Sequence, residues 1–359
     1  MKKAELNRLP DLFERINKTQ ALYLPVETAI KSPLGVSEPP RQVNFEAWHP
    51  EAKVNLEAIK TVKSPKEFFL PPCQKLYSAK VNQGELSITP HKPDNRPFVI
   101  FGIRPCDTHA LDVLDDTYLS EPIDKFYEAK RTSATLISLA CQKPGITCFC
   151  NPFDIDAAHP PGDISAWIVG AHLFLRANTE KGEVLTAALG DLLSDFDETD
   201  RANLLTEQAN IREKINALPY SNLPIKNIKP ENLMKFFASE SWNESYKACI
   251  ACGTCTFLCP TCHCYDISDV GGGNESESRR TWDSCMYPDF TEMAHGNPRP
   301  TQKERFRQRF MHKLVYHPQT FGGEYGCIGC GRCVNKCPVN LNIVKIINTM
   351  GGEDYVRPT

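Results

Sequence analysis

The chain has 359 residues, of which 41% are hydrophobic, and its formal net charge is −3 at pH 7. This length is enough for two or more domains with a sizeable core, and the near-neutral charge gives no reason to expect a nucleic-acid partner. No apolar run is long enough to span a bilayer, and the N-terminus lacks the apolar segment of a signal peptide, so we expect a cytoplasmic protein with no membrane partner. Sixteen cysteines in such a chain indicate metal binding, because cytosolic thiols stay reduced.

The first 95 residues predict short, mixed elements. An amphipathic helix near the N-terminus precedes a strand at 21–26, and the apolar face of that helix would contain Leu6, Leu9, Leu12, Phe13 and Ile16. The stretch 31–95 is rich in proline and polar residues and contains strand candidates such as 85–89. We expect its segment 64–72 to be an irregular, exposed connection.

A strand–helix–strand pattern follows. The apolar stretch 97–103 predicts a strand, Asp107 is placed to cap the next helix, and 134–140 predicts a second strand. This order predicts a parallel pair of strands, and 167–170 and 172–177 are expected to join the same sheet. We further expect 183–218 to be helical, with a solvated acidic middle, and 219–230 to be a linker. A short helix that contains the apolar residues Leu233, Phe236, Phe237 and Trp242 is expected to follow the linker and to begin the C-terminal domain.

Four cysteines are predicted to meet at the carboxyl edge of this sheet, where ligands bind in open α/β sheets. Cys106 and Cys141 follow the two strands, and Cys148 and Cys150 come soon after. Four thiolates complete the ligand set of a [4Fe–4S] cluster. A zinc site and buried, inert thiols are the alternatives.

Two cysteine runs dominate the C-terminal third, each with the spacing C-x2-C-x2-C-x3-C-P. Their members are Cys249, Cys252, Cys255 and Cys259, and then Cys327, Cys330, Cys333 and Cys337. This is the bacterial spacing for a pair of [4Fe–4S] clusters, in which the fourth cysteine of each run ligates the other cluster. We therefore expect Cys337 to complete the first cluster and Cys259 to complete the second. Paired zinc sites and disulfides are alternatives that the spacing disfavours.

The two runs are separated by 67 residues, which is unusually long for a ferredoxin. The insertion contains a glycine run at 271–273, expected to be a flexible loop, and six Lys or Arg residues between 299 and 313. Arg305 and Arg309 would share one helical face, either as a solvated surface, as a partner-docking surface or as charges that offset the clusters. Three further cysteines are interpreted as packing around the clusters, with alternative cluster ligands or a further metal site as the other interpretations: Cys262, Cys264 and Cys285. Cys73 is interpreted as inert.

Several motifs together resemble a known family. They are FGIRPCDTHAL at 101–111, TCFC at 147–150, CPTCHC at 259–264, WDSC at 282–285, NPR at 297–299 and CIGCGRC at 327–333. From about residue 97 to the C-terminus, the chain is similar to the iron–sulfur electron-transfer subunits of two systems. These are the beta subunit of cytoplasmic NiFe sulfhydrogenases and the corresponding subunit of anaerobic sulfite reductase. The segment NPFD at 151–154 departs from the family pattern, which puts the surroundings of the N-terminal cysteine group in doubt.

The resemblance implies two partners, a flavoprotein subunit that binds FAD and NAD(P)H and a catalytic subunit of hydrogenase or sulfite-reductase type. It also implies that the N-terminal cysteines and Cys262, Cys264 and Cys285 are family positions, which favours a third [4Fe–4S] cluster. Neither a Walker loop nor a dinucleotide-binding glycine motif follows a predicted strand, so nucleotide binding by this chain is not expected.

We therefore predict a mixed α/β protein with two domains. An N-terminal α/β domain with a βαβ unit, residues 1–230, would hold the possible third cluster, and residues 231–359 would form a two-cluster ferredoxin-like domain with a long helical insertion. The expected function is single-electron relay within a multi-subunit oxidoreductase. The alternatives are a self-sufficient iron–sulfur reductase, with Asp107 and His109 as acid/base groups, and a diffusible ferredoxin-like carrier.

Overall fold

The computed structural model describes residues 1–30 and 41–352. The first part of the predicted proline-rich stretch and the last seven residues of the predicted C-terminal domain lie outside the described residues. The strands are β1 (Lys2–Glu5), β2 (Ala21–Ala29), β3 (Arg41–Ala47), β4 (Cys73–Asn82), β5 (Glu85–Pro90), β6 (Phe98–Ile103), β7 (Ala134–Leu139), β8 (Ile164–Val169), β9 (His172–Ala177), β10 (Ser194–Asp195), β11 (Tyr265–Gly272) and β12 (Glu275–Trp282).

The helices lie mainly in the middle and C-terminal parts of the chain. They are α1 (Leu9–Asn17), α2 (Pro105–Tyr118), α3 (Lys125–Ser133), α4 (Glu180–Leu189), α5 (Glu198–Asn216), α6 (Leu233–Phe237), α7 (Trp242–Ser245), α8 (Thr254–Phe257), α9 (Gln302–Met311), α10 (His317–Thr320), α11 (Arg332–Lys336) and α12 (Ile343–Gly351). Across residues 1–30 and 41–352, no helix combines the length and the apolar character that crossing a membrane requires.

The larger sheet is built from the N-terminal part of the chain, in the order β10-β1-β9-β8-β7-β6-β2-β3. The adjacent strands β2, β6, β7 and β8 are parallel, and the outer strands pair antiparallel. The crossover from β6 to β7 contains α2 and α3. The parallel pairing of β6 with β7 confirms the predicted strand–helix–strand unit.

Helices cover both faces of this sheet, which explains why every residue of β6 and β7 is buried. On one face, α1 and α4 contribute Phe13 and Leu185 to the core. On the other face, α2 and α3 contribute Leu114 and Tyr127. The carboxyl ends of β6 and β7 are therefore held side by side by a packed core, and the loops that follow them start from fixed positions.

The predicted helix at 183–218 is two helices, α4 and α5, separated by the short strand β10. Asp197 interrupts the helical pattern because it caps α5: its carboxylate accepts the N–H of Asp200, and the Asp200 carboxylate accepts the N–H of Asp197. Asp200 also lies 2.5 Å from the ammonium of Lys3 in β1. The prediction of a solvated acidic face was therefore wrong for Asp200, which is buried, whereas the side chain of Asp197 is exposed as predicted.

The prediction of an exposed, irregular connection at 64–72 was also wrong. Residues Pro65–Phe68 form a short 3-10 helix, and Lys66 and Phe69 are only 3% and 1% exposed. The ring of Phe69 packs against Phe98 and Tyr127, with centroid distances of 6.0 and 6.4 Å. The apolar residues of this proline-flanked segment fill a gap beside the large sheet, where burying them is favourable.

The smaller sheet has the order β11-β12-β4-β5. Its strands β4 and β5 precede residue 230, whereas β11 and β12 follow it, so this sheet crosses the predicted domain boundary. The insertion between the cysteine runs is thus not purely helical, because it begins with the β11–β12 hairpin. Gly271 and Gly272 lie within β11, and the predicted flexible loop is reduced to the turn at Gly273, whose φ is +64°.

The C-terminal part has its own apolar core around α9 and α12. Phe306 and Phe310 of α9 are buried there, and their rings lie 4.7 Å apart. The short helices α6 and α7 add Phe236 and Trp242, as the apolar residues around the predicted domain entry suggested. This core supports the two cysteine runs from one side.

Candidate metal centres

The first group of cysteines surrounds one cavity. The cavity is lined by Cys249, Cys252, Cys255 and Cys337, and its volume is about 420 Å³, including space that is open to solvent. Three of these thiols come from one short segment that includes the start of α8. Gly253, with φ +71°, makes the turn between them, and a side chain there would collide with the Tyr287 ring. The run therefore needs glycine at this point to fold back on itself.

The second group consists of Cys327, Cys330 and Cys333 with Cys259. Burial raises the pKa of the Cys330 thiol to about 12, and the neighbouring thiols of Cys259 and Cys333 add to that increase. The pKa of Cys327 is likewise raised by burial and then by Cys333 and Cys259. These four sulfur atoms thus lie within electrostatic range of one another in a buried region. Metal coordination would offset the cost of ionising thiols there.

The third group lies at the carboxyl edge of the large sheet. Its cavity is lined by Cys106, Cys141, Cys148 and Cys150, and the volume of the cavity is about 340 Å³, including space that is open to solvent. Cys106 is in the first turn of α2, directly after β6, and Cys141 follows β7. Burial raises the pKa of Cys141 to about 11, against the opposing effect of the Arg104 guanidinium. The structure thus brings together the four N-terminal cysteines that the sequence singled out.

The second and third groups are in direct contact. Cys330 of the second group also lines the cavity of the third, and the N–H of Phe149 donates to the carbonyl of Gly329 at 2.9 Å. Gly329 has φ +61°, and a Cβ on it would lie 2.0 Å from the Phe149 carbonyl oxygen. A Cβ on Gly331 would likewise lie 2.0 Å from the carbonyl oxygen of Thr147. Only glycine permits these two cysteine loops to approach so closely.

A buried ion pair fixes the α/β part against the second cysteine run. Arg332 of α11 donates to Asp107 of α2, with Nη2 and Oδ2 2.7 Å apart, and both side chains are 3% exposed. The helix α2 begins at Pro105 with Arg104 in the capping position, so the prediction that Asp107 caps it was wrong. Because Asp107 is sealed in this pair, it is not available as the acid/base group of the alternative reductase.

His109, the other acid/base candidate, is partly exposed and lies 3.5 Å from Asp112. It lines a cavity of about 900 Å³, a volume that includes open solvent, and this cavity reaches Cys327. Four carboxylates also line the cavity: Asp112, Asp116, Asp154 and Glu324. The sequence interpretation of His109 as a satisfied surface histidine agrees with this position.

Buried cations surround the first two groups. Lys66, Lys313 and Arg309 are 3%, 4% and 2% exposed, and no carboxylate of the described residues lies within 4.0 Å of their charged nitrogens. Thiols take the place of carboxylates: Cys262 and Cys259 are near Lys66, Cys259 and Cys262 near Lys313, and Cys255 and Cys333 near Arg309. An unpaired buried cation is costly, so this arrangement requires negative charge on the sulfur ligands.

The solvated-surface and docking interpretations of the basic helix are therefore wrong for its two central arginines. Arg305 is 9% exposed and donates to the carbonyls of Arg299 and Pro300 at 2.9 Å. Arg309 donates to the carbonyl of Cys255 at 3.1 Å. The third interpretation, charges that offset the clusters, agrees with the position of Arg309.

Sequence reasoning did not identify Lys66 as a site residue, and it noted Lys313 only as one of the basic residues of the insertion whose charge could offset the clusters. Lys66 comes from the N-terminal part and donates to the carbonyl of Cys262 at 2.8 Å. Lys313 donates to Thr261 and to the carbonyl of Gly326, at 2.6 and 3.0 Å. The sequence contains a weak signal for Lys66, which precedes the apolar run 68–70 by two positions, but only the fold shows which groups Lys66 faces.

The remaining cysteines occupy different surroundings. The N–H of Cys262 donates to the carbonyl of Cys259 at 3.4 Å, and the neighbouring Cys262 thiol lowers the pKa of Cys259. Cys264 and Cys285 are neighbours of each other. Cys73 is exposed at the start of β4. Cys262 therefore directly contacts one expected cluster ligand, whereas Cys73 has no comparable neighbour among the described thiols.

The residues fit the clusters that the spacing implies. Two of the groups place four thiols around a cavity, and a [4Fe–4S] cluster takes four thiolates. The buried cations match the negative charge of such a centre. Among residues 1–30 and 41–352, no three His, Cys, Asp or Glu side chains converge closely enough to hold a single metal ion.

Comparison with known proteins agrees with this geometry. Residues 248–341 match the family described as 4Fe-4S dicluster domain. Over 341 residues the chain is 30% identical to the sulfhydrogenase 2 subunit beta of Pyrococcus furiosus, and the match covers 94% of this chain and 95% of that protein. No solved structure was found to match the chain. The chain belongs to the sulfhydrogenase beta-subunit family of iron–sulfur electron-transfer subunits.

Proposed function

We propose that the chain relays single electrons through three [4Fe–4S] clusters. The first would be held by Cys249, Cys252, Cys255 and Cys337, the second by Cys327, Cys330, Cys333 and Cys259, and the third by Cys106, Cys141, Cys148 and Cys150. The observation that carries the proposal is the contact of the second group with the third, through Phe149 and Gly329. A row of adjacent sites is what electron transfer across a protein needs.

The two ends of this row differ in exposure, which supports a direction across the molecule. Cys252 of the first group is exposed. In the third group Cys141, Cys148 and Cys150 are all buried, and only Cys106 is partly exposed. We infer that the first group lies at a surface where a partner protein exchanges electrons. The third group would connect to another partner beside the edge of the sheet.

The role of the protein is to hold, bury and tune the clusters. Bound clusters would supply one-electron oxidation and reduction, so no acid/base residue is required for the transfer itself. Lys313 and Arg309 place positive charge beside the second and first groups, which favours the reduced, more negative state. The N–H of Leu341 donates to the sulfur of Cys337 at 3.2 Å, and hydrogen bonds to cluster sulfur act in the same direction.

The partners are proposed from the family relationship. The matched relative from Pyrococcus furiosus is the beta subunit of a sulfhydrogenase, so this chain is expected to work within a complex. We propose a flavoprotein subunit that binds FAD and NAD(P)H on one side and a catalytic subunit of hydrogenase or sulfite-reductase type on the other. We also propose that the division into residues 1–230 and 231–359 separates the third cysteine group from the first two, with the smaller sheet joining the two parts across that boundary.

Metal analysis and spectroscopy test the proposal directly. Protein prepared without oxygen should contain about twelve iron atoms and as many sulfides per chain, the content of three clusters. The substitution Cys148→Ser should remove one paramagnetic centre and leave two, while Cys73→Ser, at an exposed position, should leave all three. A content of about eight irons with an unchanged Cys148→Ser spectrum would restrict the relay to the two C-terminal sites.

A further inference from the structure

An irregular segment of the α/β part, residues 56–61, borders the cavity of the third cysteine group. Ile59 and Lys60 of this segment, the strap, line that cavity together with the four cysteines. The strap is anchored just outside its two ends, where the N–H groups of Asn55 and Val62 donate to carbonyls of β2 and β3 at 2.8 and 2.9 Å. Between these anchors it forms neither helix nor strand, so its position over the cavity depends on contacts with side chains.

Arg104, directly after β6, holds the strap from below. Its Nε and Nη2 donate to the carbonyl of Ala58 at 3.3 and 2.9 Å, and Nη2 also donates to the carbonyl of Leu56. On the other side, Nη1 donates to the carbonyl of Ala140 at 2.7 Å. The planar guanidinium can bond both sides at once because its donors point in several fixed directions. Arg104 therefore ties the strap to the end of β7, immediately before the third-group ligand Cys141.

The charge of Arg104 is buried without a carboxylate. The residue is 6% exposed, and within residues 1–30 and 41–352 no carboxylate lies within 4.0 Å of its guanidinium nitrogens. Backbone carbonyls satisfy its N–H donors but do not cancel its charge, and an uncompensated buried cation is costly. Arg104 lines the same cavity as Cys106 and Cys141. A centre ligated by thiolates there would give the guanidinium an anionic neighbour.

Lys60 of the strap brings a second cation to the same cavity. Its side chain is half-buried, and its ammonium donates to the hydroxyl of Thr147 at 2.8 Å. A Cβ on Gly145 would lie 3.8 Å from this ammonium and also 3.8 Å from the sulfur of Cys148, so the two groups face the same point. The described part of the chain places no carboxylate within 4.0 Å of the Lys60 ammonium. Two cations from different elements thus converge on the third group.

We propose that Arg104 and Lys60 form a cationic cap on the third centre. Arg104 positions the strap over the cavity, and both side chains stabilise the reduced centre through their positive charge. The proposal rests on the proposed function, which assigns a [4Fe–4S] cluster to these four cysteines. One electron that arrives through the relay makes the centre more negative by one charge, without a proton or a change of bonds. A fixed cation nearby therefore favours the reduced form.

A redox titration of the third centre tests the role of the charge. The iron-loaded complex, isolated without oxygen, is equilibrated at a series of potentials, and electron paramagnetic resonance follows the centre that is missing in Cys148→Ser. In Arg104→Gln the ratio of reduced to oxidised third centre at a fixed potential should fall about tenfold, a decrease of about 59 mV for a one-electron couple. Arg104→Lys keeps the charge and should shift the potential much less. Equal shifts in the two variants would overturn the role of the Arg104 charge.

Lys60→Gln tests the second cation while Arg104 stays in place. The potential of the third centre should again fall, but by less than in Arg104→Gln, because the Lys60 side chain is only half-buried. Lys143→Gln is the matched control, since Lys143 comes two residues after Cys141 but is exposed and paired with Glu57 at 2.9 Å, where solvent screens its charge. An unchanged potential in Lys60→Gln, or an equal shift in Lys143→Gln, would overturn the role of Lys60.

Hydrogen–deuterium exchange tests the position of the strap without relying on a cluster. Peptides that cover residues 56–61 are compared between Cys148→Ser and the double variant Cys148→Ser/Arg104→Lys. A lysine ammonium cannot bridge the strap and Ala140 as the guanidinium does, so exchange in the double variant should be on the order of tenfold faster. Equal exchange would overturn the positioning role of Arg104. A content of about eight irons in the unsubstituted protein would instead reject the third centre of the proposed function, and the exchange rates would still decide whether Arg104 holds the strap.

Discussion

The first and third cysteine groups each bring four thiols together, but by opposite routes. In the first group, three of the four thiols come from one short run, and a single left-handed glycine, Gly253, shapes it. In the third group, the thiols come from the ends of two strands and a loop, so they meet only after the large sheet has formed. The comparison teaches that a spacing motif specifies a site locally, whereas scattered ligands depend on the stability of a scaffold.

The second group combines a local cysteine run with contacts to the large sheet. It therefore lies at the junction between the α/β part and the C-terminal part of the chain. Its run is local, but it is attached to the α/β part by the Asp107–Arg332 ion pair and by the glycine contacts at 329 and 331. Changes at this junction should therefore affect the third group far more than the first.

Removing the buried charge of Asp107 should have the largest effect. In Asp107→Asn the Arg332 guanidinium remains buried without its partner, which costs about 3–5 kcal/mol. We expect the free energy of unfolding, measured by denaturant titration, to fall by that amount. Asp156→Asn is the control, because its pair with Arg212 is partly exposed and should change stability by less than about 1 kcal/mol. Similar losses in both variants would show that the buried pair does not join the two regions.

Gly329→Ala should have the next largest effect on stability. Its Cβ would collide with the Phe149 carbonyl oxygen, and the residue must also hold a left-handed conformation, so we expect a loss of about 3 kcal/mol. Iron should be lost preferentially from the third group, seen as a missing paramagnetic centre. Gly273→Ala has a similar φ of +64° but nothing near its Cβ, and it should cost only about 1–2 kcal/mol. Loss of the first centre before the third would contradict the proposed junction.

Lys313→Gln should have a smaller effect that is visible in redox behaviour. Removing a buried cation beside Cys259 and Cys327 should make one-electron reduction of the second centre less favourable by a free energy on the order of 1–2 kcal/mol. The reduction potential of that centre should therefore fall. A redox titration followed by electron paramagnetic resonance measures this shift. Lys336→Gln, at an exposed position of the same cysteine run, should shift it much less because solvent screens the charge. Equal shifts would mean that Lys313 does not tune the centre.

The sequence predicted the parts of the fold that follow from periodicity. The parallel β6–β7 unit and the short apolar helices before the first run were recognisable because continuous apolar strands and helical spacing are local properties. The prediction at 64–72, and the part of the prediction at 183–218 that concerned Asp200, were wrong because proline-flanked and acidic residues were taken as solvent-facing. Whether such residues are buried or capped depends on distant partners such as Phe98 and Lys3.

What the sequence alone determined was the inventory of thiols and the two local runs, because ligand spacing along a tight turn is set by the chain itself. Only the tertiary structure decided which distant charges face those thiols and how the third group meets the second. Lys66 and Arg309 are buried near thiols, with no carboxylate from residues 1–30 and 41–352 within 4.0 Å of their charged nitrogens. Gly329 allows two loops to touch. Such contacts join residues that are far apart in the chain, so they depend on packing rather than on spacing.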